Sequence, residues 1–276
     1  MNAYGGMVRV DTSGMRVNVT NETLLDNIRT NIRKGFPQIQ PYPIQRQKIC
    51  LVGGGPSLND TFEELRKCYF EGDKLVAMNG SAQWLMDHNM RPSLVTMIDA
   101  RPFNVRFVQE PIPNCKYFIS SQCDPSVFDM VADRDSYIFH LVTGDDVEGI
   151  LKPYYLGHYY NVTGGTTVML RTIWLCRMLG FYRMEVFGFD SCCMGEEAKH
   201  HAYLQPENDG DIIHTDSCAG RPFFCTGWQR RQADDFREFV TQHGNQFQLN
   251  VHGDGLIAHM LRTGARLQME HNVQEE

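Results

Sequence analysis

The residues best suited to chemistry form a glycine-rich turn. An apolar run, residues 49–52, leads directly into Gly53-Gly54-Gly55-Pro56-Ser57. A strand, a glycine turn and a helix in succession aim backbone N–H groups at one point, which suits an anion such as a nucleotide phosphate. The same pattern is equally typical of a tight packing turn, because glycine lets two backbones approach closely. It is not a Walker loop, and Leu58 stands where the Gly-x-Gly-x-x-Gly fingerprint needs its third glycine.

Other polar clusters also follow short apolar runs that read as strands. They are Asn79-Gly80-Ser81, Asp99-Ala100-Arg101-Pro102, Gly188-Phe189-Asp190 and His252-Gly253-Asp254. In open α/β sheets, ligands bind at the edge formed by the carboxyl ends of the strands. The sequence therefore predicts that these clusters lie along one cleft.

Each cluster has two interpretations. Asn79 either contacts a nucleoside or belongs to a plain turn before an N-cap serine. Asp99 and Arg101 either pair with each other or hold a metal ion and a phosphate respectively. The second glycine turn, Gly164-Gly165-Thr166, is either another anion site or a cap for its own helix. Asp190 ends a predicted strand, where an acid commonly binds ribose hydroxyls or Mg²⁺.

Two neighbouring histidines carry the most concentrated chemistry of the later part of the chain, Lys199-His200-His201-Ala202-Tyr203. On an extended segment, adjacent side chains point to opposite sides, so we expect at most one histidine to face a shared site. Either could act as an acid or base near neutral pH, and a solvated pair is the alternative. We take His201 as the candidate base. The chain has neither a Gly-x-Ser-x-Gly elbow nor a His-Glu-x-x-His motif.

Composition excludes several classes of protein. A net charge of −7 without a basic run disfavours general nucleic-acid binding. No apolar stretch is long enough to cross a membrane, and the start of the chain does not resemble a signal peptide. The nine cysteines are odd in number and several lie in apolar runs, which is typical of a reduced protein. The sequence therefore predicts a cytoplasmic location.

Alternation of strand and helix patterns predicts an α/β, Rossmann-like fold with a mostly parallel sheet and helices on both faces. Residues 1–45 are predicted to form an N-terminal arm and a helix, the arm being either a hairpin or a contact that makes a homo-oligomer. Residues 46–267 form the predicted nucleotide-binding domain. Within it, residues 191–224 lack periodicity and are predicted to be a long functional loop. Residues 268–276 read as a frayed tail.

The motifs together resemble one superfamily. The resemblance is carried by residues 51–58, the Asn79 turn, the 164–167 turn and Phe187-Gly188-Phe189-Asp190 with His201-Ala202. This superfamily contains the 6-hydroxymethylpterin diphosphokinase (MptE-like) proteins, the motility-associated flagellin glycosyltransferases and, more distantly, small bacterial sialyltransferases. The N-terminal helix and the ending at 252–255 look most like versions carried by tailed phages and prophages, which would place the protein in a host cytoplasm.

The resemblance implies a core that binds a nucleotide or nucleotide sugar on the 53–57 loop and the Asn79 turn. In the pterin enzymes the donor is ATP with magnesium, and a diphosphate moves to a hydroxymethyl group. The sialyltransferases use a CMP-sugar without a metal, and a histidine base that precedes a late helix. The matching region here, residues 225–229, has no histidine, which leaves the role to His201 or His214.

The leading hypothesis is a nucleotide-dependent transferase, of the diphosphokinase or glycosyltransferase type, that acts on a hydroxyl of a small-molecule or glycan acceptor. The predicted roles are phosphate binding by Gly53, Gly54, Gly55, Ser57, Gly164, Gly165 and Thr166, nucleoside contact by Asn79, Mg²⁺ or donor-hydroxyl binding by Asp99 and Asp190, charge neutralisation by Arg101 and proton removal by His201. The alternative is a non-catalytic phage assembly or binding protein. The missing third glycine disfavours a dinucleotide oxidoreductase.

Overall fold

The computed structural model describes residues 19–194, 199–205 and 211–269. Within these ranges the strands are β1 (Gln45–Val52), β2 (Lys74–Met78), β3 (Leu94–Met97), β4 (Lys116–Ser120), β5 (Ser136–Phe139), β6 (Phe181–Phe187), β7 (Ile213–Cys218), β8 (Arg221–Thr226), β9 (Gln248–Val251) and β10 (Leu267–Met269). The α-helices are α1 (Asn21–Ile32), α2 (Phe62–Phe70), α3 (Ser81–Asp87), α4 (Pro125–Met130), α5 (Asp145–Tyr154), α6 (Val168–Met178), α7 (Gly227–His243) and α8 (Leu256–Thr263).

Seven parallel strands form the main sheet in the order β5-β4-β3-β2-β1-β6-β9. The chain builds outward from β1 to β5, then returns to place β6 on the other side of β1. The direction of building therefore reverses between β1 and β6, which is the topological switch point where α/β sheets bind ligands. The predicted Rossmann-like α/β fold is confirmed.

Helices cover both faces of this sheet, as the near-continuous apolar strands require. One buried cluster joins the sheet to side chains of α1 to α5, and the other joins it to α6, α7 and α8. Most residues of α6 are buried, including Leu170 and Trp174, because the sheet lies on one side of this helix and α7 on the other. Apolar residues all round a helix are typical of this central position.

The predicted N-terminal helix is confirmed as α1. Thr20 caps it by accepting a hydrogen bond from the Thr23 N–H at 3.1 Å. Two buried asparagines fix the helix to the loop after β4, since Asn27 donates to the Gln122 carbonyl at 3.1 Å and Asn31 to the Cys123 carbonyl at 2.7 Å. The arm predicted at residues 1–18 lies outside the described residues.

The structure differs from the predicted loop at 191–224. Strands β7 and β8 form an antiparallel hairpin there, and β10 adds a third strand beside β7. The hairpin turn, Ala219-Gly220, has positive φ at both positions, and an alanine at such a position gives no turn signal in the sequence. Strand β10 likewise includes Gln268, where the sequence predicts the start of a frayed tail.

Helix α5 has no clear signature in the sequence, because Gly149 and Pro153 interrupt it. The side chains of Val147 and Leu151 nevertheless pack into the core and hold it in place. All nine cysteines are free and buried, and burial raises the pKa of the Cys192 thiol to about 12. None of the helices in the described ranges is long and apolar enough to cross a membrane.

Candidate functional site

A cavity of about 140 Å³ lies at the carboxyl ends of β1 and β6, at the topological switch point. Its walls come from the loops after β1, β2 and β6, the start of α6, residues 200–205 and the start of α7. A larger cavity of about 1230 Å³ lies at the opposite edge of the sheet. Ligands of open α/β sheets bind at the carboxyl edge, and the chemistry-bearing residues converge there, so the smaller cavity is the candidate site.

The glycine turn after β1 is bound tightly to the end of β6. The N–H of Gly53 donates to the Phe187 carbonyl at 2.8 Å, and that of Gly55 donates to the Gly188 carbonyl at 2.9 Å. A Cβ on Gly53 would lie 2.4 Å from the Gly188 oxygen, so glycine is required for this approach. The packing interpretation therefore accounts for Gly53 and Gly55, and phosphate binding by this turn stays a prediction.

Asp190 is the buried acid of the site. Its Oδ2 accepts the Ser57 N–H at 2.9 Å, which fixes the end of the glycine turn, while its Oδ1 has no hydrogen-bond partner among the described residues. A Cβ on Gly55 or on Gly255 would lie 2.3 Å from one or other carboxylate oxygen, so the two glycines enclose the group. Burial raises the pKa of Asp190 to about 6, although the Ser57 hydroxyl and the Ser57 N–H both oppose the shift. Such a carboxyl titrates near neutral pH.

The second glycine turn already holds a carboxylate of the protein itself. The N–H and the hydroxyl of Thr166 donate to Oδ2 of Asp235, at 2.9 Å and 2.5 Å. Thr167 caps α6 through the Leu170 N–H at 3.0 Å, so the interpretation of this turn as a helix cap holds. Thr167 lines the cavity, whereas Gly164, Gly165 and Thr166 do not.

Asn79 lies in the wall of the cavity and has a φ of +50°. Its Oδ1 is buried and has no partner in the described part of the chain, which leaves one acceptor unsatisfied at the cavity wall. The following Ser81 does not cap α3 with its side chain. Its hydroxyl instead donates to the Val52 carbonyl at 2.6 Å and accepts the Met78 N–H at 2.9 Å, which ties the ends of β1 and β2 together.

Asp99 and Arg101 pair with each other and do not line the cavity. The Arg101 guanidinium donates to the Asp99 carboxylate from Nε and Nη2, and also lies over the Phe103 ring. Asp190 lines the cavity and Asp99 does not, and Mg²⁺ binding by these two acids stays a prediction. Within the described ranges, one group of three side chains could hold a metal ion, namely Cys50, Cys68 and Asp73. The Asp73 carboxylate of this group is already paired with the Lys48 ammonium at 2.9 Å.

Both histidines of the 199–203 segment line the cavity, so the expectation that at most one would face it is wrong. The segment is not part of a regular strand, and alternation of its side chains does not apply. The His200 ring stacks against Trp228, with centroids 6.0 Å apart, and its Nε2 lies 3.8 Å from the Cys193 sulfur. His201 lies over the glycine turn, beside Gly54.

Two glutamines of α7 complete the cavity, and sequence analysis did not assign them to it. Gln229 belongs to a capping box with Thr226, whose N–H donates to the Gln229 Oε1 at 2.9 Å. Gln232, three residues later on the same helix face, accepts the Ser191 hydroxyl at 3.0 Å. The Thr-x-x-Gln spacing marks the start of α7 in the sequence, which places the first helical turn beside the sheet edge.

Comparison with known proteins identifies the family. Residues 22–196, more than half of the chain, match the model of the family described as 6-hydroxymethylpterin diphosphokinase MptE-like. The chain belongs to this family. The description of the family names a diphosphokinase, which is an enzyme of the transferase type. No protein of curated function matches it.

A solved bacterial structure shares the fold of the MptE-like chain. The MAf glycosyltransferase from Magnetospirillum magneticum AMB-1 is 13% identical, with a TM-score of 0.62 over 93% of this chain and 44% of that one. A mammalian sialyltransferase in complex with Gal-beta-1-3GalNAc-ortho-nitrophenol is 10% identical, with a TM-score of 0.46 over 89% of this chain and 92% of that one. The MptE-like chain thus spans less than half the length of the bacterial glycosyltransferase.

Proposed function

We propose that this MptE-like protein transfers a group from a nucleotide donor, either ATP or a nucleotide sugar, to a hydroxyl of a small-molecule or glycan acceptor. The reaction takes place in the cavity between β1 and β6. The observation that carries the proposal is Asp190, a buried carboxyl at the topological switch point with one oxygen that has no partner in the described ranges. Leaving a buried carboxylate oxygen unpaired destabilises the fold, so a functional reason for it is expected.

In this proposal Asp190 binds a hydroxyl of the donor through Oδ1. The other oxygen is already bound to the Ser57 N–H, and neither of the enclosing glycines could carry a Cβ beside the carboxyl. Asn79 is the second contact for the donor, since its buried Oδ1 can accept a hydrogen bond from a ribose hydroxyl or a base. Both contacts orient the donor, and positioning supplies much of the catalysis in group transfer from nucleotides.

The glutamines of α7 are the proposed donors to the phosphate oxygens. Fixed partners on the Oε1 atoms of Gln229 and Gln232 orient both amides and leave their NH₂ groups for other acceptors. The N–H groups of Gly53, Gly55 and Ser57 are satisfied within the protein. We therefore assign the hydrogen bonds to the phosphate oxygens to these glutamine side chains rather than to the backbone N–H groups of the glycine turn.

His201 is the proposed base. It lines the cavity above the glycine turn. As the acceptor oxygen forms its new bond to the transferred group, the bond from that group to the nucleotide breaks and His201 takes the acceptor proton. Since Asp99 is paired with Arg101 away from the cavity, no step of this proposal passes through a magnesium ion.

Calorimetric titration with ATP, CTP, CMP-sugars and UDP-sugars tests the proposal. We expect one donor class to bind wild type in the millimolar range or tighter, and the Gly54→Trp variant to lose it, because the indole would fill the cavity wall. Gly144→Trp is the matched control, since a Cβ there meets no atom within 4 Å. Failure of every donor, or unchanged binding by Gly54→Trp, would contradict the proposal and favour the non-catalytic alternative.

A further inference from the structure

A tyrosine ring fills a slot between the loops that follow β1 and β2. A Cβ on Gly54 would lie 2.5 Å from Oη of Tyr203, and a Cβ on Gly80 would lie 2.8 Å from its Cε2. Phe107 closes the slot, since its Cε1 would lie 2.9 Å from the same Gly80 Cβ. We call this space, bounded by Gly54, Gly80 and Phe107, the ring slot. Both glycines are needed because any side chain would collide with the ring.

Several contacts hold the segment that carries the tyrosine: Lys199 exchanges backbone hydrogen bonds with Met194, and the His200 ring stacks against Trp228. The Ala202 N–H donates to the Gly54 carbonyl at 2.9 Å, and the Asn59 amide donates to the Ala202 carbonyl at 3.4 Å. The second distance is long for a hydrogen bond, and Asn59 is exposed. The ring of Tyr203 packs against one of the two core clusters. A ligand that takes the place of the ring must therefore also release the hydrogen bonds of Ala202.

The slot has the shape and place of a site for a flat heterocycle. Its walls are backbone of two glycines and the edge of an aromatic ring, which suit a planar π-system. It lies across the carboxyl ends of two adjacent parallel strands, next to the cavity at the switch point. The residue before Gly80 is Asn79, whose buried Oδ1 has no partner among residues the structure describes and could accept a hydrogen bond from a base.

We propose that the ring slot binds the nucleobase of the donor and that Tyr203 occupies it until the donor displaces the ring. This inference rests on the proposed function, because it assumes a nucleotide donor. It adds a competition within the protein: only molecules with Tyr203 outside the slot bind the base. The apparent affinity for the donor is then the intrinsic affinity reduced by the fraction of such molecules.

Tyr203→Ala removes the competing ring. Burial of an aromatic side chain holds the closed state, so we expect the variant to bind AMP or CMP about ten- to a hundredfold more tightly than wild type does. Ribose 5-phosphate has no base, and its affinity should be unchanged. Tyr203→Phe keeps a ring and should bind like wild type. Tyr182→Ala, a half-exposed tyrosine on β6, is the control for loss of an unrelated ring.

The outcomes separate the two proposals. If Tyr203→Ala binds AMP and CMP with the same affinity as wild type, or more weakly, the ring-slot inference is overturned. The transferase proposal would still stand. A gain for ribose 5-phosphate as large as that for the nucleotides, or a gain only for 6-hydroxymethylpterin, would also overturn the ring-slot inference. If neither protein binds any nucleotide, both proposals fail.

A second measurement uses the unmodified protein, in case the Tyr203→Ala variant does not fold. Amide hydrogen exchange at Ala202 reports the hydrogen bond to the Gly54 carbonyl. Saturating nucleotide should increase this exchange, because the segment leaves the slot, while exchange in β2 stays constant. Unchanged or slower exchange at Ala202 under bound nucleotide would overturn the inference.

Discussion

Replacing Asp190 by asparagine should stabilise the protein at neutral pH while removing a group of the candidate site. The carboxyl is 3% exposed, and burial raises its pKa from 3.8 to about 6. The folded state therefore binds this proton more tightly than the unfolded state does. Its contribution to stability is fully present below about pH 4 and is lost as the pH rises through about 6.

The magnitude follows from the same pKa. One pKa unit corresponds to about 1.4 kcal/mol, so holding this carboxylate ionised at pH 7 costs the folded state about 3 kcal/mol. Asparagine keeps an oxygen for the Ser57 N–H and carries no charge. Its NH₂ group would take the place of Oδ1, which has no partner within the described ranges, and an unsatisfied buried donor costs about 1 kcal/mol or more. We therefore expect Asp190→Asn to gain about 2 kcal/mol at pH 7.

Urea unfolding of wild type and variant at several pH values between 4 and 8 measures this difference. The gain of the variant should grow from pH 4 to about pH 6 and then stay constant, because only wild type titrates at this position. Other acids titrate in both proteins and cancel. Equal stabilities across the whole range would refute the assignment of a raised pKa to Asp190. A variant that is less stable than wild type at pH 7 would show that the charge of the Asp190 carboxylate is compensated in the folded protein.

Three further predictions concern packing, capping and catalysis. Gly255→Ala should destabilise the fold by about 2 kcal/mol or more, because its Cβ would lie 2.3 Å from a buried carboxylate oxygen. Gly149→Ala in α5 should stabilise the fold by about 0.5–1 kcal/mol, because a Cβ there meets no atom within 4 Å and alanine favours a helix. Thermal unfolding of the two variants and wild type measures both effects. Thr226→Ala should cost about 1 kcal/mol in urea unfolding, since α7 loses its capping box. Once a donor is found, His201→Ala should lower turnover by about 10²- to 10⁴-fold, with exposed His158→Ala as the control in the same assay.

Local patterns explain why most of the fold could be predicted from the sequence. The apolar run at residues 49–52 forms the end of β1, because buried parallel strands have near-continuous apolar sequences. With Thr20 or Asn21 as its cap and an apolar stripe after it, helix α1 was recognisable. Helix α5 and the β7–β8 hairpin were not, because tertiary contacts stabilise segments whose local signals oppose them: Gly149 and Pro153 in the helix, and Ala219 in the turn.

The site could be located from the sequence but its contacts could not. Clusters after successive strands predicted the edge, and Gly54, Asn79 and Asp190 do line one cavity there. Which group satisfies each N–H depends on residues distant in the chain, and so the carboxylate on the Ser57 N–H was not foreseeable. For the same reason, no local pattern could show that Tyr203 fills the space beside Gly54.

The burial of all nine cysteines makes the native protein unreactive toward thiol reagents, because a thiol must be both accessible and ionised to react. A single new cysteine at Leu204, which is 91% exposed and adjacent to the ring-slot tyrosine, would therefore accept a fluorophore without removal of any native thiol. Because the native cysteines are buried, the rate at which a reagent modifies each of them measures how often the segment around it unfolds.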